Sequence, residues 1–282
     1  MSKRNKTQSK RNKTQPILST LSKDSDETIR ICVANNPHTP EITLKKLSSD
    51  KAERVRSAVA SSPNSPEITL KKLAKDKNIL VRSQVAGNPS TPPCVLSKLA
   101  TDVDSVRMWV ARNVSTPTAT LEQLAMDPDR DVRCVVARNP STPQAVLRRL
   151  ATSTDERYMH WHVAGNPSTP PDALKHLAIN SSSEDVCWCI TVNSSITASV
   201  LKQLATNSSS KVRGRVARNP RTPVKTLLYL AKDKDWTVRS EVAKNRRTPP
   251  ETLVQLAKDE DWNVRMCVAA SVHVNILVET KL

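Results

Sequence analysis

Phenylalanine is absent from this 282-residue chain, which has only two tyrosines, five tryptophans and three glycines. Sandwiches, doubly wound sheets and oligonucleotide-binding barrels draw their turns from glycine and their packed faces from aromatic and β-branched residues. None of these folds is expected. Long apolar runs are missing too: nothing approaches the roughly 20 residues that a membrane-spanning helix needs. The N-terminal MSKRNK does not read as a secretory leader. Six cysteines, at 32, 94, 134, 187, 189 and 267, include no C-x-x-C pair, so reduced thiols and a cytoplasmic location are expected. H-E-x-x-H, the phosphate loop, the dinucleotide-binding glycine fingerprint and G-x-S-x-G are all absent. Catalysis and a bound cofactor are therefore not expected.

Proline, by contrast, is plentiful, and all but one of its nineteen copies fall at or beside fixed slots of a repeat. The stretch VRCVVARNPSTPQAVLRRLA, from Val132 to Ala151, is the unit. Val132, Val136 and Ala137 fall on one face of a short helix. Asn139-Pro140 should stop it, because a residue before proline is pushed out of the α region. Thr142-Pro143 is expected to start a second helix, with Thr as the N-cap and Pro at the first helical position. Leu147, Leu150 and Ala151 then form another single apolar face. Aligning the residue that closes the first helix gives ten copies, at Ala34, Ala60, Ala86, Ala111, Ala137, Ala164, Thr191, Ala217, Ala243 and Ala269. Asn fills the pre-proline slot in eight of them, and Thr-Pro or Ser-Pro follows in eight. Neither helix alone buries much, so the units must stack, which predicts an all-helical solenoid.

The pattern V-R-x-x-V-A-x-N-P-x-T-P-x-x-x-L-x-x-L-A resembles the variant leucine-rich repeat family. That resemblance implies short helical units stacked into a right-handed superhelix, and it says little about function. In one detail the chain is also similar to HEAT repeats. An aspartate precedes the V-R arginine by six residues, as in Asp24/Arg30, Asp50/Arg56, Asp76/Arg82, Asp127/Arg133, Asp233/Arg239 and Asp259/Arg265, with Asp102/Arg107 five apart. In HEAT proteins such pairs form a ladder between repeats, so these residues are expected to be structural. Some DNA glycosylases are also built of HEAT-like helices, which makes glycosylase activity a remote alternative, with Trp109, Trp161 and Trp188 as the aromatic candidates.

The ends and the middle depart from the template. Residues 1–15 repeat SKRNKTQ in tandem and carry six Lys or Arg with no acid, the composition of a disordered basic arm. The solenoid is assigned to 16–282, with a half-unit at its start and a C-terminal cap over 270–282. Between about 153 and 197 the pattern breaks. His160 and Cys187 replace the ladder Arg, Ser153 and Asn180 replace its Asp, and Asn193 to Thr197 lacks both prolines. His160, His162, His176, Cys187 and Cys189 cluster there, but residues two apart on a helix face different directions, so no metal site is expected. Trp161 and Trp188 share one slot and Trp236 and Trp262 another, which reads as packing.

The net charge of +17 favours acidic partners. Beyond the ladder, cations follow the helix-closing position at Arg112, Arg138, Arg218 and Lys244, where they also balance the helix C-terminus. Residues 211–250 hold twelve Lys or Arg against three acids. Arg112, Arg138, Arg215, Arg218, Arg221, Lys244, Arg246 and Arg247 are the candidate binding edge. The expected role is a repeat scaffold for a macromolecular partner, with an acidic protein surface first and phosphate-backbone binding second.

Overall fold

The structure, a computed structural model, describes residues 15–153 and 157–271. Residues 1–14 of the expected arm and 272–282 of the expected cap lie outside the described residues. All regular secondary structure among the described residues is helical. None of these helices is long and apolar enough to cross a membrane. The chain divides into two compact units, Met1–Pro143 and Gln144–Leu282.

After a helix over 15–21, each repeat supplies a first and a second helix. In unit 1 the first helices are Glu27–Asn35, Glu53–Ser61, Ile79–Gly87, Asp104–Arg112 and Arg130–Arg138, alternating with second helices Glu41–Leu47, Glu67–Leu73, Pro93–Leu99 and Thr118–Leu124. Unit 2 begins on the second helix Gln144–Ala151 and continues with first helices Arg157–Gly165, Glu184–Val192, Ser210–Arg218, Trp236–Lys244 and Trp262–Ala269. Its other second helices are Pro171–Asn180, Ala198–Leu204, Val224–Leu230 and Pro250–Leu256. Within each unit, successive first helices pack side by side, and the second helices flank them. The apolar faces read from sequence form the core: Val55, Val59, Ala60 and Leu70 are fully buried, as are their equivalents Val132, Val136, Ala137 and Leu147.

The turns differ from expectation. Proline, and not threonine, is the N-cap of the second helix, as at Pro40, Pro66, Pro92, Pro117, Pro170, Pro223 and Pro249, with no side-chain cap. The hydroxyl before it turns the other way. Thr39, Ser65, Thr91, Thr116, Thr142, Thr169, Thr222 and Thr248 each donate 2.5–2.6 Å to the Val carbonyl six residues back. They satisfy an orphan acceptor at the C-terminus of the first helix. Where the proline is replaced, at Thr197, the threonine caps the second helix, accepting from the Val200 N–H.

The repeated Asn does more than fill the slot before proline. Asn88, Asn113, Asn193 and Asn245 are buried, and each donates twice to backbone carbonyls of the preceding repeat. Each of Asn88, Asn113 and Asn193 also accepts from the N–H two residues on, 2.8–2.9 Å away. Asn113 and Asn193 precede Val114 and Ser194, yet hold the same extended backbone as Asn88 before Pro89. The side chain, and not proline alone, sets this stop.

Candidate functional site

The ladder comes first, because it decides which side chains are left for binding. Among the described residues, six rungs join Arg30 to Asp50, Arg56 to Asp76, Arg82 to Asp102, Arg107 to Asp127, Arg213 to Asp233 and Arg239 to Asp259. Each is a bidentate pair 20 residues apart in sequence, with Nε–Oδ2 at 2.6–2.7 Å and Nη2–Oδ1 at 2.8–3.0 Å. The aspartate six residues before Arg30, Arg56, Arg82 and Arg239, and five before Arg107, which the sequence pattern suggests as the mate, contributes its backbone carbonyl instead, and Arg213 takes the Asn207 carbonyl. Arg56 Nη1, for example, donates 2.8 Å to the Asp50 carbonyl. Asp127 is thus the partner of Arg107, and Arg133 takes the Asp127 and Pro128 carbonyls. Arg265 likewise takes the Asp259 and Glu260 carbonyls.

Electrostatics follow from that fork. Burial raises the Asp50, Asp76, Asp127 and Asp233 carboxyls, but the Arg hydrogen bonds and a backbone N–H outweigh it and hold them below the ordinary range. For Asp102 and Asp259 the arginine hydrogen bond is itself the largest influence, again downward. These groups are largely covered and saturated, so they leave nothing for a ligand.

Unit 2 begins with a different arrangement. His160 places Nε2 2.8 Å from the Ser153 carbonyl. Cys187 lies 3.9 Å from the Ser181 carbonyl, and Asn207 donates 3.7 Å to the Cys187 sulfur. Asn207 stands where the other rungs carry Asp, a substitution visible only once the 20-residue pairing is known. Burial pushes the Cys187 and Cys189 thiols up. Among the described residues, no group of three or more His, Cys, Asp or Glu side chains is placed to share a metal ion.

The candidate edge divides between the units. In unit 1, Arg112 and Arg138 are exposed at the ends of their first helices. Arg112 lies over the Trp109 ring at 5.4 Å. That indole rests on Gly87, where a Cβ would come within 2.9 Å of it. In unit 2, Arg215, Arg218 and Arg221 line one depression with Val192, Asn193 and Ile196. Arg221 donates to the Ser194 carbonyl, and Arg215 sits 5.1 Å over the Trp188 ring. Glu241 joins Arg218, at 4.0 Å, to Lys244, at 2.9 Å, so part of the positive charge on this edge is neutralised. Its hydrogen bond raises the Lys244 ammonium. Arg246 and Arg247 are exposed beyond them.

The tryptophans are not core residues. Trp109, Trp161, Trp188 and Trp236 are 39–41% exposed and Trp262 is 62% exposed. Their shared slots therefore mark surface features, contrary to the packing role that repetition suggested.

Three segments of the chain, 105–129, 130–156 and 236–261, match the leucine rich repeat variant family model. No curated protein matches the chain. Among solved structures, a leucine-rich repeat variant described as having a novel repetitive protein structural motif is 24% identical, with a TM-score of 0.58 over 78% of this chain and 87% of that one. An engineered protein is 18% identical at a TM-score of 0.35, over 89% of this chain and 86% of the other. The alternation of paired short helices and the shared fold lead to one statement: this chain is a helical repeat protein, three segments of which match the leucine rich repeat variant model.

Proposed function

We propose that the protein is a non-catalytic scaffold whose exposed edge binds a macromolecular partner, an acidic protein surface fitting best. The depression of Arg215, Arg218 and Arg221 carries this reading. Phosphate-backbone binding requires little beyond cations. Here arginine is combined with the half-exposed Trp188 and with Val192, which is 60% exposed. Arginine and tryptophan set in apolar surroundings are the composition of protein-interface centres. Nucleic-acid binding through the arm and the stripe is the second reading, favoured by the excess of cations over 211–250.

Capture of partners from lysate, with and without nuclease, tests the choice. The arms are wild type and Arg215→Glu/Arg218→Glu, with folding checked by circular dichroism. Nuclease-resistant capture that falls about tenfold or more in the variant is expected. Capture abolished by nuclease, with DNA affinity falling about 0.9 log unit per contact per log unit of salt, would transfer the role to nucleic acid.

A further inference from the structure

Next to the arginine depression lies a second, chemically different feature of unit 2. An open groove of about 650 Å³ runs between the first helices Arg157–Gly165 and Glu184–Val192 and is lined by Tyr158, Trp161, Ser183, Asp185 and Trp188. Its composition follows from the repeat. Tyr158 and Asp185 occupy one slot of successive units, and Trp161 and Trp188 the slot three residues on. Residues three apart share a helix face, so the four side chains form the corners of one patch: three aromatic rings and a carboxylate.

The spacing suits a cation. Packed helices lie about 8–10 Å apart, so a charge midway between equivalent indoles is about 4–5 Å from each. That falls inside the roughly 6 Å reach of a cation–π contact. One of these rings already holds a cation, since Arg215 lies 5.1 Å from the Trp188 centroid on the side of the adjoining depression. The other is held in place: Trp161 packs on His162 with centroids 4.8 Å apart. Rings fixed in advance lower the ordering cost of binding.

We infer that this groove holds a methylated lysine side chain of a protein partner, with Trp161, Trp188 and Tyr158 facing the methylated ammonium and Asp185 supplying the counter-charge. Methylation decides the matter, because a bare ammonium is strongly hydrated and gains little in a groove open to water. Openness also selects the source. A free quaternary ammonium would stay mostly solvated here, whereas a side chain arrives on a chain that makes further contacts. For that source the inference rests on the protein-partner reading above.

Isothermal titration of the full chain tests it with four probes. These are an acidic peptide carrying one trimethyllysine, the same peptide with unmodified lysine, tetramethylammonium chloride, and phosphatidylcholine vesicles. The trimethylated peptide should bind about tenfold tighter than the unmodified one, and tetramethylammonium should compete with it. Trp161→Ala should erase the preference, Asp185→Asn should reduce it about threefold, and Trp236→Ala should leave it unchanged, each with native circular dichroism. Equal affinity for both peptides, or a preference that survives Trp161→Ala, would overturn the inference. So would binding of the vesicles without a peptide preference. Nuclease-resistant partner capture that persists in Trp161→Ala would leave the scaffold reading standing while this one fell.

Discussion

From Arg30 to Asp127, four successive rungs are bidentate ion pairs, whereas from Ser153 to Asn207 the same slots hold serine, histidine, asparagine and cysteine. The first helices keep the same length of nine residues in both regions, and their inward positions stay buried, with Met159 and Ile190 in slots that hold Val elsewhere. A covered ion pair and a covered neutral pair can be nearly equal in stability, since the gain of the first is offset by desolvation. What is costly is a covered charge left without a partner; Arg133, with Ser153 in the slot 20 residues on, donates to the Asp127 and Pro128 carbonyls. Cys187 therefore goes with Asn207, whereas Asn180, 20 residues after His160, is exposed and donates 2.9 Å to the His176 carbonyl. The neutral stretch also carries the Trp161–Trp188 groove and borders the arginine depression. The part of the chain freed from the ladder's charges is the part with the most individual surface.

Acid should sharpen this contrast most, since it acts on every charged rung at once. Each rung carboxyl is held below its ordinary range in the folded chain, so unfolding takes up protons at low pH. The stability from these pairs is complete above the unfolded carboxylate value of about 4 and is lost as pH falls through the folded values. Amide exchange at about pH 3 and pH 6 should show a greater loss of protection over 30–127 than over 157–207. Equal losses would mean that the charged rungs contribute no more than the neutral ones.

A single break comes next. Arg107→Ala leaves the Asp127 carboxylate, whose side chain is 5% exposed, without its fork. Its cost should be about 2–4 kcal/mol in denaturant unfolding, between the exposed and buried limits. Cys187→Ala should lose about 1 kcal/mol or less. Asn113→Ala removes two donors to the preceding repeat and one acceptor, for about 1–3 kcal/mol. Asn219→Ala, at a half-buried site, should lose less. Proteolysis gives the smallest signal: within the described repeats, cleavage between 153 and 207 should precede cleavage between 36 and 139. The reverse order would show the neutral rungs to be as firm as the charged ones.

Much of this architecture was legible in the sequence, because apolar periodicity and proline spacing are local signals. The two helices per unit and their buried Val, Ala and Leu positions follow from residues within five of one another. The ladder was legible only in part. Its members stand out, but Asp127 and Arg133 are near in sequence, while the carboxylate of Asp127 reaches Arg107 across the stack. Threonine was misread for a related reason. Its hydroxyl can serve the helix before or after it, and the following proline, itself the N-cap, leaves the earlier helix as the better customer for a donor. Clustered arginines near 218 were visible in the sequence. The Trp161–Trp188 groove was not, because a shared slot says which residues are equivalent and not whether they face water.

The central claim is that Cys187 and Asn207 replace a charged rung as a pair, and a double-mutant cycle on Cys187→Arg and Asn207→Asp tests it most directly. The Ser181 carbonyl, 3.9 Å from the Cys187 sulfur, stands ready to receive an arginine Nη1 as the Asp50 carbonyl does for Arg56. Each single change should destabilise the chain by placing one unmatched charge in the stack. The double change should recover stability, with a coupling of about 1–3 kcal/mol. Single effects that simply add, within about 0.5 kcal/mol, would contradict the pairwise account.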